Sequence, residues 1–187
     1  MNDKFHKRKP TRYKDYSYNQ YGYYFITTCV NNRLQLFGSI KKGKVILNDI
    51  GKIVKKNWLN LSNYYSNCEL DYYIIMPDHF HGIIIVNQSV GDRSPVPNEK
   101  TQQQLGDGGP IPYKKIGSII NMMAYFKYQS TKEINQLLKS PGRKIWQRSF
   151  YDKVIRNEKE FYNIKKYIEQ NPLKWDFEKS HHENFYL

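Results

Sequence analysis

Two of the chain's five histidines, His79 and His81, stand one residue apart where an apolar run begins, in the sequence MPDHFHGIII. Alternate side chains of a β-strand point to the same face, so both imidazoles would lie side by side while Phe80 points to the opposite face. Paired imidazoles on a rigid strand can bind a metal ion. The alternative is that both histidines are polar residues at a strand end whose hydrogen bonds are satisfied.

A second pair of residues that could take part in a reaction lies near the C-terminus. These are Tyr167 and Asn171, in the sequence YIEQNP. Residues four apart lie on one side of a helix, so a phenol and an amide would be neighbours there. The phenol could act as a nucleophile and the amide oxygen as a metal ligand. Alternatively, Tyr167 is simply one of 17 tyrosines, and Asn171 ends the helix before Pro172.

Cationic and aromatic side chains are interleaved in the segment 143–156. The cations are Arg143, Lys144, Arg148 and Arg156, and the aromatic residues among them are Trp146 and Phe150. This mixture suits nucleic acid, because cations contact phosphates and aromatic rings stack on bases. The alternative is that both aromatic residues belong to the core and the cations form a solvated rim.

The charge and composition of the whole chain also indicate a polyanionic partner. The 187 residues include 30 Lys and Arg against 17 Asp and Glu, a formal net charge of +13. Nucleic acid is the first expectation for such a balance. Aromatic residues make up 16% of the chain, which excludes a disordered basic tail. No apolar run approaches the length of a membrane-spanning helix, so we expect no membrane partner.

The two cysteines, Cys29 and Cys68, cannot form a zinc site alone or a disulfide framework. Their number fits a reducing cytosol. The first 19 residues are polar and basic, without the apolar segment of a signal peptide. We therefore expect a cytoplasmic protein.

The elements that must position these side chains alternate between strands and helices. Aromatic and β-branched runs predict strands, and apolar residues at helical spacing predict helices. Strands are predicted at 21–30, 45–47, 69–76 and 79–87, a partly extended segment at 145–155, and helices at 48–64, 113–139 and 157–171. This order predicts a single α+β domain, a two-layer sandwich with a mainly antiparallel sheet and helices on one face.

Two segments are predicted to stand outside this core. Residues 1–20 form a basic, polar arm, which either grips DNA or is a solvated tail. Residues 88–112 are rich in glycine and proline and nearly free of core-forming residues, which is typical of a flexible insertion within one domain.

The histidine motif followed by a distant YIEQN resembles the HUH single-tyrosine transposases. The REP-associated tyrosine transposase branch is matched by MPDHFHGIII at 76–85, WQRSFYD at 146–152, VIRNE at 154–158 and YIEQNP at 167–172. The resemblance covers nearly the whole chain except the insertion. It implies a ferredoxin-like or RRM-like fold, with both histidines on a central strand and the tyrosine on the last helix.

The resemblance also implies residue roles. His79, His81 and Asn171 would bind a divalent metal, Mg²⁺ or Mn²⁺, and Tyr167 would be the nucleophile. Insertion-sequence relatives commonly have Gln where this chain has Asn171, whereas Gln170 points about 100° away around the helix. Tyr125, which lies four residues before Gln129, and Tyr128 are competing tyrosines on a helix that resembles a packing element.

The implied activity is metal-dependent nicking and joining of single-stranded DNA at hairpin-bearing sites through a 5′-phosphotyrosine, that is, DNA transposition. The chain has no phosphate-binding loop for ATP, which agrees with such a reaction. One alternative is a DNA-binding protein with little or no cleavage, and another is a metal-dependent hydrolase or an RNA-binding protein. Relatives act as monomers or as dimers that exchange the tyrosine helix, and both states stay open here.

Overall fold

A computed structural model describes residues 21–88 and 115–182, with side chains up to residue 177. The predicted basic arm at 1–20 lies outside these described residues. The predicted insertion at 88–112 also lies outside them, apart from its first residue.

The secondary structure follows the predicted alternation of strands and helices. In chain order the elements are β1 (Gly22–Cys29), β2 (Gly38–Lys41), β3 (Lys44–Leu47), α1 (Asp49–Leu59), α2 (Leu61–Tyr64), β4 (Cys68–Ile75), β5 (His79–Val86), α3 (Ile119–Leu137), β6 (Tyr151–Ile155) and α4 (Glu158–His182). A short 3-10 turn, Asn31–Arg33, follows β1. No helix in the described ranges has both the length and the apolar character needed to cross a membrane.

Four strands form one antiparallel sheet in the order β4-β5-β1-β6, while β2 and β3 pair separately as a hairpin. Strand β5 lies at the centre of the sheet, between β4 and β1. In its register, His79 is opposite Cys29 and His81 is opposite Thr27. The prediction of a mainly antiparallel sheet is confirmed.

The main core lies between this sheet and the helices α1 and α3. Phe80 of β5 packs 4.5 Å from the ring of Trp58 and 5.4 Å from that of Phe126, measured between ring centroids. Gly82 makes this contact possible, because a Cβ atom there would lie within 3 Å of the Trp58 and Phe80 rings. The predicted α+β sandwich with a mainly antiparallel sheet is therefore confirmed, except that the prediction placed the helices on one face and α4 packs on the other.

The opposite face of the sheet carries a smaller apolar cluster with α4. Phe25 and Ile83 point away from the main core and pack with Ile164 and Ile168 of α4. The alternation of β5 side chains places His79 and His81 on this same face as Ile83. Helix α4 is therefore the element that covers the two histidines.

The structure differs from the sequence prediction at α3, β2 and α4. Helix α3 begins at Ile119 rather than near 113, because the backbone of Lys115 pairs with that of Tyr64 and Ser66 and is held out of the helix. Strand β2 was not predicted, since its four residues have little apolar character.

The third difference is that α4 continues through Pro172, where the sequence predicted a stop. Proline lacks an amide hydrogen and disfavours a helix interior. Tertiary contacts hold the second half of α4 in place nevertheless, because the backbone N–H of Gly43 in the β2–β3 turn donates to Oδ2 of Asp176 at 3.0 Å.

Candidate active site

The two histidines of the motif lie side by side at the start of β5. Both are buried, and their ring centroids are 4.7 Å apart. The predicted placement on one face of a strand is thus confirmed. Each ring has one nitrogen engaged by a neighbouring polar side chain.

His79 is held by an acidic neighbour in its own motif. Its Nδ1 lies 2.5 Å from Oδ1 of Asp78, and Nε of Arg33 lies 2.9 Å from Oδ2 of the same carboxylate. A carboxylate that accepts from Nδ1 orients the imidazole and leaves Nε2 available to a ligand. The side chains of His79 and Asp78 are both almost fully buried, whereas that of Arg33 is 50% exposed.

His81 is held by the adjacent strand. Its Nδ1 is hydrogen-bonded to Oγ1 of Thr27 at 2.8 Å, and its ring stacks on Phe25 with 5.4 Å between centroids. Burial, with smaller contributions from the charges of His79 and Arg33, lowers the pKa of His81 to about 3. The ring is therefore neutral near pH 7 and can offer a lone pair at Nε2.

Tyr167 meets this pair from α4. Its hydroxyl lies 3.5 Å from Nε2 of His81, and its ring packs edge-on against Phe25 at 6.0 Å between centroids. The side chain is 40% exposed, so a substrate can reach the hydroxyl from solvent. The ammonium of Lys174 lies 5.5 Å from the centre of the same ring. A cation there would attract a phosphate that approaches the hydroxyl.

Asn171 lies on α4 between two residues that contact the histidines. Tyr167 is one turn before it and touches His81; Trp175 is one turn after it, with its ring centroid 5.8 Å from that of His79. Residues spaced by four share one side of a helix. Asn171 is buried, which fits a position on the face of α4 that meets the sheet.

The metal site predicted from His79, His81 and Asn171 stays a prediction. Two neutral imidazoles and a neutral amide would leave room for oxygens of a phosphate. No group of three or more His, Cys, Asp or Glu side chains converges in the described part of the chain.

Sequence reasoning assigned no role to Asp78, Arg33, Thr27 or Trp175. Asp78 could have been found, because it directly precedes the first histidine of the motif. Thr27 and Arg33 carried no sequence signal, since sheet register brings Thr27 to His81 and the turn after β1 brings Arg33 to Asp78.

The competing tyrosines lie away from the histidines. Tyr125 stacks on Tyr64 with 4.0 Å between ring centroids, which fits the packing role that its helix suggested. Tyr128 is on the same helix, α3, which packs on the Phe80 face of the sheet rather than on the histidine face. Neither tyrosine shares a face with His79 and His81.

The residues predicted to contact nucleic acid fall into three places. Arg143, Lys144 and Arg148 are exposed on the loop before β6. Trp146 is 6% exposed, packs 4.9 Å from the Phe37 ring, and donates from Nε1 to Oγ of Ser130 at 2.9 Å. The structure thus favours the alternative that Trp146 is a core residue, because its ring faces are covered.

Arg156 is separated from the other three cations. It follows Ile155, which pairs with Tyr23 near the start of β1, whereas the histidines pair with the end of β1. Arg156 therefore lies at the opposite end of the sheet from His79.

The chain is 33% identical over 171 residues to an uncharacterized protein of Haemophilus influenzae, and the match spans 91% of each chain. This chain belongs to the same family as that protein. No model of a known protein family matches the chain.

Among solved structures, this member of the family is similar to a REP-associated tyrosine transposase bound to a REP hairpin. The TM-score is 0.54 at 20% identity, and the similarity spans 87% of this chain and 73% of the other. This likeness establishes a shared fold. The resemblance that the motifs indicated is therefore confirmed at the level of the fold, with the histidines on a central strand and Tyr167 on the last helix.

Proposed function

We propose that this chain nicks and rejoins single-stranded DNA at hairpin-bearing sites, with Tyr167 as the nucleophile. The proposal rests on one observation: the partly exposed hydroxyl of Tyr167 on α4 lies against His81 on β5, beside His79. Both imidazoles are buried, and each is oriented by a hydrogen bond at Nδ1. The REP hairpin bound to the structural neighbour supports a DNA hairpin as the class of substrate. The net charge of +13 suits such a polyanion.

The proposed step conserves the energy of the phosphodiester bond. The Tyr167 hydroxyl oxygen bonds to phosphorus while the bond from phosphorus to the 3′-oxygen breaks. The phenol proton leaves to solvent, and the 3′-oxygen takes up a proton. The products are a 5′-phosphotyrosine and a free 3′-hydroxyl, and a second 3′-hydroxyl reverses the step to join a new strand.

His79, His81 and Asn171 would hold a divalent cation, Mg²⁺ or Mn²⁺. A bound cation of this kind polarises a phosphate and neutralises its developing charge. Asp78 and Thr27 hold the two rings so that each presents Nε2. Lys174 lies where it can help to neutralise a phosphate attached to Tyr167.

A denaturing gel with labelled single-stranded hairpin oligonucleotides tests the proposal. Wild type with Mg²⁺ or Mn²⁺ should give a slow protein–DNA band. Tyr167→Phe should give none while retaining DNA binding, because only the nucleophilic oxygen is removed. Tyr162→Phe is a matched control, since Tyr162 lies on the same helix and is 66% exposed.

Each outcome of the gel has a definite meaning. A band that persists in Tyr167→Phe would place the nucleophile elsewhere. No band from wild type across a library of hairpins, despite tight binding, would instead support a DNA-binding protein without cleavage.

A further inference from the structure

The hairpin of β2 and β3 ends in a two-residue turn, Lys42 and Gly43, between the paired residues Lys41 and Lys44. Both turn residues have left-handed backbones, with φ of 51° and 67°, as a type I′ turn requires. The N–H of Gly43 lies outside the ladder and donates to Oδ2 of Asp176 on α4 at 3.0 Å. The tip of the hairpin is thus bonded to the helix that carries Tyr167.

A second residue of α4, Leu173, lies closely against the same turn. A Cβ atom on Gly43 would clash with Cδ2 of Leu173, so a larger residue in the turn would displace that side chain. We call the contact of the turn with Leu173 and Asp176 the α4 clasp. Its two parts, one polar and one apolar, hold the turn and the helix together.

Pro172 weakens α4 immediately before the α4 clasp. Proline has no N–H to donate to the carbonyl oxygen of Ile168, and its ring crowds that carbonyl. Before Pro172, Ile164 and Ile168 hold the helix on the sheet. After it, the α4 clasp holds the helix on the hairpin. The two halves of α4 therefore have separate anchors.

The residues between the two anchors belong to the candidate active site. Asn171 is buried, and the ring centroid of Trp175 lies 5.8 Å from that of His79. Trp175 and Asp176 are consecutive, so their side chains diverge by about 100° around the helix, the first toward His79 and the second toward the turn. Displacement of Asp176 would therefore move Trp175 away from His79.

The base of the hairpin is tied to the histidine motif. The backbone N–H of Phe37, directly before β2, donates to the carbonyl oxygen of Pro77 at 3.0 Å, and Pro77 lies two residues before His79. Phe37 is fully buried and packs 4.9 Å from the ring of Trp146. The contacts form a closed ring, from the histidine motif to the hairpin and from the hairpin through α4 back to His79. The hairpin therefore sets the distance between the histidine motif and the second half of α4.

We infer that the β2–β3 turn is a positioning element of the candidate active site, with Asp176 as its positioning residue. The turn holds the half of α4 beyond Pro172, so that Trp175 and Asn171 stay against the histidine strand while Tyr167 reacts. Asp176 acts only through the helix and not on the reacting atoms. The inference rests on the proposed function, because it takes Tyr167 as the nucleophile.

Fluorescence of Trp175 tests the anchoring without any DNA. The other two tryptophans, Trp58 and Trp146, are buried in the main core, so subtracting the emission of a matched Trp175→Phe variant isolates the Trp175 signal. In Asp176→Ala this signal should move to longer wavelength, because the ring leaves the histidine for solvent. In Asp176→Asn it should stay, because the amide oxygen still accepts from the turn.

Hydrogen exchange gives a second measure of the anchoring. In Asp176→Ala the amides of 174–177 should exchange about 2- to 10-fold faster, the factor that one hydrogen bond contributes, while those of 160–168 keep the wild-type rate. Leu173→Ala should act in the same direction, and since Leu173 is 60% exposed, its loss leaves the core intact. Glu169→Ala, at an exposed position of the same helix, is the control for both measurements.

The kinetics of phosphotyrosine formation connect the α4 clasp to the reaction. With hairpin DNA, Asp176→Ala should lower kcat by up to about 100-fold, as a misplacement of about 1 Å does, and leave KM for DNA nearly unchanged. Asp176→Asn should restore kcat. A purely structural role would lower the melting temperature and leave kcat per folded molecule at the wild-type value.

Wild-type emission of Trp175 and wild-type exchange in Asp176→Ala would overturn the inference. A wild-type kcat alongside a displaced helix would overturn it as well. Absence of any adduct from the wild-type protein would instead remove the proposed cleavage. In that case, a displaced Trp175 in Asp176→Ala would still support the positioning of α4 by the turn.

Discussion

The hydroxyl of Tyr167 lies 3.5 Å from Nε2 of His81, a contact between residues separated by 86 positions in the sequence. It joins the C-terminal helix to a central strand of the sheet. Phe25 of the neighbouring strand touches both rings, so the contact is supported from a third element. The histidine motif and the tyrosine motif, which are far apart in the sequence, are thus parts of one site.

Replacing either His79 or His81 with Ala should lower metal-dependent cleavage by more than about 100-fold, because even outer-shell partners of metal ligands contribute about 10- to 100-fold. Cleavage rates across a Mn²⁺ titration would measure the effect. Thermal melting of each variant controls for the loss of a buried side chain. Undiminished cleavage by both variants would remove the metal-site assignment.

Asp78→Asn and Arg33→Gln should each raise the metal concentration needed for half-maximal cleavage by about 10- to 100-fold, because Asp78 orients His79 and Arg33 holds Asp78. Cleavage at saturating metal should change much less. Lys52→Gln is the control, since it breaks an exposed ion pair with Asp49 away from the site. An unchanged metal requirement in both variants would show that the contacts serve packing alone.

Ser130→Ala should destabilise the fold by about 1–3 kcal/mol, because the buried Nε1 of Trp146 would lose its acceptor. Urea unfolding would measure the change in the free energy of unfolding. Ser39→Ala, at an exposed position of β2, should have little effect. Equal stability of Ser130→Ala and wild type would argue against the core role of Trp146.

Deletion of residues 90–110 should leave the melting temperature within a few degrees of the wild-type value. The described chain on both sides of the insertion is tied to one segment, because Asn87 pairs with Asn67 and Lys115 with Tyr64. A short connection can therefore close the gap at little entropic cost. A large fall in melting temperature would show that the insertion packs against the domain.

Local pattern was enough for the histidine pair and for most of the strands and helices, although not for β2 or for the end of α4. Period-two alternation in β5 decides that His79 and His81 share a face whatever lies beside them. Asn48 caps α1, because its Oδ1 accepts a hydrogen bond from the backbone N–H of Gly51 at 2.9 Å, and asparagine is a preferred residue at this position. Such features depend only on residues that are close together in the chain, so the sequence alone is enough to predict them.

Tertiary structure alone decided what surrounds those residues. Sheet register brings Thr27 to His81, and the turn after β1 brings Arg33 to Asp78. Docking of α4 on the β2–β3 turn carries the helix through Pro172, against its local preference, and so places Trp175 beside His79. The sequence also did not show that Trp146 is buried and Tyr128 exposed. Composition does not distinguish an aromatic ring in the core from one at the surface. The sequence by itself thus determined the reactive side chains and their elements, whereas contacts between distant segments decided their orientation, because those contacts depend on which faces pack together.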